Sequence, residues 1–285
     1  MPKKKRQRQK AGHLAQQQRR AQMRARQRTR RRWSLAAAFI AVTLVAGLVI
    51  SLAGDPGRDV TSGTTTVPPT TVATADGRPV VPLPQPPPGA TITGDTPCPP
   101  ADGSARRTTT FAKPPPMCIT ATKTYVADIQ TSKGLITVAL DARAAPKTVN
   151  NFVVLARYHF YDGIPFHRII PGFVVQGGDP KLAPEAVGSG GPGYRLEDEL
   201  PKAGQYRVGS VAMANSGPNT NGSQFFIISG NEGTQLPPSY SLFGQVTGGL
   251  NVVKAIEAVG TPSSPPTQGR PTEVVTMQSV TIKES

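Results

Sequence analysis

One charged side chain, Arg168, stands inside an otherwise apolar block that reads FHRIIPGFVVQGGD from residue 166 to residue 179. A guanidinium carries five fixed N–H donors and has no accessible neutral form, so among apolar neighbours it needs an acceptor, either a structural partner or a ligand. Gln176, eight residues on, offers an amide oxygen that could hold it in place. Ile169, Phe173 and Val175 supply apolar bulk, and Pro171-Gly172 marks a turn between two short strand-like pieces. A second run, VAMANSGPNTNGSQFFII from Val211 to Ile228, sets Phe225 and Phe226 behind a loop of Asn, Gly and Ser. The loop would present backbone groups and the aromatics a flat wall. Together the two runs describe a shallow apolar pocket with one aimed cation at its rim. Such a site suits an uncharged group whose nitrogen or carbonyl is to be polarised, and a proline ring beside its tertiary amide is one.

Many short elements must position these residues. TYVADIQ and GLITVAL alternate apolar and polar positions around Thr131-Ser132-Lys133-Gly134, which predicts a β-hairpin. Pro146 opens APKTVNNFVVLARY, where Val149, Phe152, Val153 and Ala156 recur at helical spacing. Further strands are expected at 166–170, 173–177, 208–214, 224–228 and 241–246, a second amphipathic helix over about 250–259, and a last strand in VVTMQSVTI. The pattern is mainly β and points to a closed barrel capped by helices.

FHRIIPGFVVQGGD and MANSGPNTNGSQFF resemble the two signature segments of the cyclophilins, which are peptidyl-prolyl cis–trans isomerases, and the likeness runs from about Thr124 to Ile282. The resemblance implies a closed eight-stranded antiparallel barrel with an α-helix over each end, needing neither cofactor nor metal. It places the catalytic arginine at Arg168 and the glutamine that steadies it at Gln176. Pocket phenylalanines fall on Phe173 and Phe226, the substrate-binding backbone strand on Ala214, Asn215 and Ser216, the second glutamine on Gln224 and the pocket leucine on Leu236. Three positions depart from the usual pattern. Val174 replaces a pocket methionine, Tyr240 stands where histidine is common, and Gln235 falls about where a tryptophan helps bind cyclosporin. The expectation is that catalysis survives and cyclosporin binds weakly. A non-catalytic module that binds proline peptides on the same fold is the alternative function, and it has no need of the arginine.

Composition divides the chain. Of 32 Lys and Arg, 14 lie in residues 1–32, which hold no acid, so the 18 that remain nearly match the chain's 17 acids. The net charge of +15 is therefore the tail's property, and a near-neutral folded part is a poor nucleic-acid binder. Residues 1–32 read as the cytoplasmic flank of a membrane segment; contact with anionic lipid or nucleic acid is the sharper reading. Residues 33–54 carry no charge and as a helix would span about 33 Å, enough for a single-pass transmembrane anchor; a cleaved signal peptide is the rival. Charge asymmetry puts the tail inside and the rest outside the cytoplasm of a bacterium. Residues 55–120, with 15 of the 30 prolines, read as a disordered Pro/Thr/Gly-rich linker before an isomerase domain at 121–285, expected to be monomeric. Cys98 and Cys118 permit a disulfide without establishing it.

The remaining signals read as structural. GSGGPG at 188–193 fits a dinucleotide fingerprint only formally, because Pro192 interrupts it and no helix follows; it resembles instead the glycine loop beside the cyclophilin groove. His159 and His167 lack acidic or Cys partners nearby, Glu197-Asp198-Glu199 reads as a solvated acidic turn, and the Asn221-Gly222-Ser223 sequon is assigned to loop geometry. There is no Cys/His cluster for a metal.

Overall fold

The computed structural model describes residues 79–120, 122–182, 187–265 and 268–285. The expected tail (1–32), anchor (33–54) and first part of the linker (55–78) lie outside the described residues. Among the described residues no helix is long and apolar enough to cross a membrane.

The predicted hairpin forms as β3 (Tyr125–Thr131) and β4 (Gly134–Leu140), paired antiparallel with Thr131 opposite Gly134. The other strands of the sheet are β5 (Ile164–Pro165), β6 (Arg168–Ile170), β7 (Val174–Gly177), β8 (Ser210–Met213), β9 (Phe225–Ile228), β10 (Leu242–Gly248) and β11 (Thr276–Glu284). They form one antiparallel nine-stranded sheet in the order β5-β11-β3-β4-β10-β8-β9-β7-β6. The expectation of a closed eight-stranded barrel is corrected here. The sheet curls, because its two edge strands are joined only by Phe166 and His167, whose amides reach opposite edges: Phe166 N donates to Val275 O and His167 N to Gln176 O. It does not close, because another segment occupies the edge of β6. Ile169 N donates to Gly269 O at 2.7 Å, and Ile169 O accepts from Thr261 N at 3.1 Å.

Alternation along the strands separates two apolar clusters. Phe225, Ile227, Val211, Met213, Val175 and Ile169 point to the inner face, with Phe152, Tyr161 and Phe243 around them. Phe226, Ile228, Ala212 and Val174 point the other way and build a second cluster with Tyr206. Helix α1 (Pro146–Arg157) packs against β11, and α2 (Leu250–Glu257) against β4, β6 and β7. Ala145 gives α1 no side-chain cap. Glu199 supplies one from a distance, its carboxylate accepting from Lys147 N at 3.0 Å and Thr148 N at 2.8 Å, so the acidic turn has a structural task.

Residues 79–120, the described part of the expected linker, depart from a structureless tether. They contain β1 (Ala90–Ile92) and β2 (Thr108–Phe111), a parallel pair apart from the main sheet. Phe111 is buried in the main core against Tyr158. Asn150 on α1 accepts from Cys118 N at 2.7 Å and donates to Pro116 O at 2.8 Å. That cover explains why α1 is buried on nearly every side although it carries two asparagines. Cys98 and Cys118 are joined in a disulfide.

Candidate active site

Strand register assembles the site. Arg168 lies opposite Gln176, Gln176 opposite Phe226, Phe226 opposite Ala212 and Ala212 opposite Leu242, a single row across five strands. Residues directly opposed in antiparallel strands share a face, so the cation, the amide and the aromatic ring are presented together on the outer side. Val174 opposite Ile228 forms the next row of that face. Phe173, Ala214, Leu236, Tyr240 and Leu242 pack against this outer cluster, each only partly buried. The rim of the cluster is therefore apolar and partly exposed, while its centre is buried.

Arg168 donates from Nη1 to Gln176 Oε1 at 3.3 Å. Among the described residues no carboxylate lies within ion-pair distance of it. Burial lowers its pKa, which the neighbouring Tyr240 partly offsets, yet an arginine starts so high that it stays cationic. The bond to Gln176 is the end of a chain. Gln176 Nε2 donates to Gln224 Oε1 at 3.1 Å, and Gln224 Nε2 donates to Gly188 O and Gly190 O at 2.9 and 2.8 Å. Two carbonyls consume the Gln224 amino group, so its oxygen faces Gln176, and the Gln176 oxygen in turn faces Arg168. The network dictates the orientation of both amides.

Beneath the chain lies Asp179, fully buried, which accepts from Lys181 N at 2.8 Å, Gly188 N at 2.6 Å and Gly190 N at 3.3 Å. Burial raises its pKa against these amides. No residue with a side chain fits at Gly190, where a Cβ would lie 2.0 Å from the Asp179 carboxylate.

The pocket walls are equally fixed. Phe173 O accepts from Ser229 N at 3.0 Å and Gly230 N at 3.4 Å. Leu236 follows a 3-10 turn at Gly233–Gln235, and Gln235 is exposed there. Tyr240 sets its ring edge-on to Phe226, with centroids 5.4 Å apart at 84°. The Tyr206 hydroxyl grips the Tyr240 backbone, donating to its carbonyl at 2.6 Å and accepting from its amide at 3.1 Å. Tyr206 and Asp179 are the residues that motif reading passed over. Tyr206 acts on a residue 34 positions away, and Asp179 collects amides from an irregular loop, so no periodic pattern announces either.

Ala214, Asn215 and Ser216 differ in part from the expected strand. Ala214 N still donates to Gln224 O at 2.9 Å, but β8 has already ended at Met213. Ser216 N turns to Thr220 Oγ1 and Gly217 N to Asn215 Oδ1, closing a turn. The backbone N–H and C=O of Asn215 have no hydrogen-bond partner among the described residues, so this one residue keeps both groups available to an extended peptide.

Comparison with known proteins identifies the family. The profile of the cyclophilin type peptidyl-prolyl cis-trans isomerase family matches residues 126–282, more than half of the chain. The chain belongs to the cyclophilin family. It is similar to a probable peptidyl-prolyl cis-trans isomerase A of Mycobacterium leprae, with 43% identity over 174 residues, 55% of this chain and 91% of the relative. It is also similar to peptidyl-prolyl cis-trans isomerase B of Streptomyces anulatus, with 42% identity over 175 residues, 55% of this chain and 95% of that one. A crystal structure of a cyclophilin type isomerase of Cryptosporidium parvum is 32% identical, covering 56% of this chain and 98% of that chain with a TM-score of 0.49. This cyclophilin is a peptidyl-prolyl cis–trans isomerase.

Proposed function

We propose that Arg168 drives the isomerisation by polarising the prolyl amide while the outer apolar cluster holds the ring. The barrier to X-Pro rotation, about 18–20 kcal/mol, comes from amide resonance, so no bond need be made or broken. A cation facing the prolyl nitrogen favours localisation of its lone pair, and that localisation is complete only in the twisted state. The enzyme then binds the twisted amide better than the planar one. Phe173, Val174, Phe226, Leu236 and Tyr240 would cradle the ring, and Asn215 would pair with the peptide backbone. The observation that carries this reading is the row from Arg168 through Gln176 to Phe226: a cation with no carboxylate partner among the described residues, aligned with an aromatic side chain whose apolar surround is only partly buried.

In a protease-coupled assay on X-Pro peptides, Arg168→Ala in the full chain is expected to lower kcat/KM by about 10²–10³-fold while peptide binding persists. Equal rates in the two proteins would instead favour a module that only binds.

The same proposal extends to the setting. The 14 basic residues of the tail, the uncharged stretch 33–54 and the disulfide support a bacterial single-pass membrane protein whose isomerase domain works as a monomer outside the cytoplasm on exported chains. Protease added to intact cells should then degrade residues 79–285 and spare the tail. Protection of the domain in intact cells, with cleavage only after lysis, would overturn this orientation.

A further inference from the structure

The extension ahead of the family domain touches the site's supporting loop at both ends. The family profile begins at residue 126, so residues 79–120 lie outside it. Gln85 Oε1 accepts from Leu182 N at 3.2 Å, one residue past Lys181, whose own amide is bound by Asp179. At the other end Phe111 N donates to Pro192 O at 2.8 Å. Backbone meets backbone so closely there that a Cβ on Gly193, which sits at φ +108°, would come within 2.4 Å of Phe111 O. The Phe111 ring also stands edge-on to Tyr194, with centroids 6.3 Å apart at 71°.

The extension is itself firmly held. The Arg107 guanidinium gathers the carbonyls of His159, Phe160 and Asp162, while its Nε donates to Pro87 O at 3.2 Å. The His159 ring spans from Gly103 O to the Asp162 carboxylate, so the expectation that it lacks an acidic partner nearby is corrected. The Cys98–Cys118 bridge encloses β2 and Phe111. A rigid strap therefore grips Leu182 and Pro192, the two flanks of the loop whose Gly188 and Gly190 carbonyls orient Gln224. Gln224 orients Gln176, and Gln176 holds Arg168.

We infer that residues 79–120 are a positioning element of the isomerase site, acting through residues 179–182 and 187–193 and the two glutamines on Arg168. The inference rests on the catalytic reading of Arg168 given above. Its physical basis is that a displacement of about 1 Å at a supporting group can lower a rate by about 10²-fold when the transition state depends on alignment.

The test uses the full chain and separates kcat from KM. Gln85 is exposed, so Gln85→Ala removes its contact without disturbing a core; Phe111→Ala removes the ring contact with Tyr194 and leaves the backbone bond to Pro192 in place. Each is expected to lower kcat by about three- to tenfold with KM little changed, as for an interaction felt in the transition state. In a Gln224→Ala background the path is already cut, so the same substitutions should change kcat by less than about twofold. Effects that multiply in that background, or an unchanged kcat in folded Gln85→Ala, would overturn the inference. If Phe111→Ala does not fold, Gln85→Ala decides alone. An independent readout is amide hydrogen exchange at Gly188 and Gly190, expected to quicken by about tenfold in Gln85→Ala. Unchanged exchange overturns the brace whatever the activity, and an inactive wild type with quickened exchange overturns the isomerase mechanism while leaving the brace standing.

Discussion

Arg168 keeps its charge because a guanidinium starts so high, and among the described residues its side chain bonds an uncharged amide rather than a carboxylate. A carboxylate in that place would neutralise the cation and compete with the substrate; the Gln176 oxygen fixes direction and leaves the field intact. Geometry matters as much as charge here. A lysine at 168 would remain cationic, but its single ammonium cannot both bond Gln176 sideways and face a prolyl nitrogen as a planar fork can. Arg168→Lys is therefore expected to retain no more than about a tenth of wild-type kcat/KM in the peptide assay, with the folded spectrum unchanged. Activity near wild type would mean that charge alone suffices. Arg168, Gln176 and the two phenylalanines were legible as types and spacing. Period-2 alternation places Arg168, Gln176 and Phe226 on one face with 174 and 228, opposite 169, 175, 225 and 227, whereas Phe173 precedes β7 and joins that cluster from the turn. Asp179 was not legible. A buried carboxylate collecting amides from a loop up to eleven residues away leaves no periodic trace.

Three elements were hidden from the sequence for a related reason. β1 and β2 lie within the proline- and threonine-rich stretch, where a single buried aromatic, Phe111, supplies most of the apolar anchoring. β5 is two residues long, too short for any alternation to show. The disulfide that secures β2 joins residues 20 apart in sequence. On the chain-entropy view such a closure contributes about 3 kcal/mol. Cys98→Ser/Cys118→Ser should lower the unfolding free energy by about that amount in denaturant titrations, and reduction of the wild type should do the same. The turn from β5 to β6 carries a second measurable property. His167 is buried there with neither ring nitrogen bonded among the described residues, and burial pushes its pKa down to about 3. An unfolded histidine titrates near 6.5, so between that value and about 3 the unfolded chain holds a proton that the folded one refuses. Stability must fall as pH drops through this window, by up to about 1.4 kcal/mol per pH unit from this residue. Asp179, raised by burial, works in the opposite direction, but it is common to wild type and variant. His167→Leu should accordingly show a smaller loss of stability between pH 7 and pH 4 than wild type, read from denaturant midpoints.

At the scale of the whole molecule, the strand order couples the two ends of the domain. β11, the last element of the chain, lies between β5 and β3 rather than at an edge. It pairs with β3 from Thr131 to Tyr125 and with β5 at Ile164 and Pro165. Its removal would separate β5 from the sheet and uncover Ala127 and Ile129, both fully buried. A chain ending at residue 275 should lose the cooperative thermal transition shown by the intact protein, whereas loss of an edge strand alone would leave a weakened transition.

This has a bearing on timing. Synthesis runs from the amino end, so every other strand is made before the one that must slot between β5 and β3. Until β11 has been made, β5 and β3 lack the strand that lies between them, and Ala127 and Ile129 lack their cover.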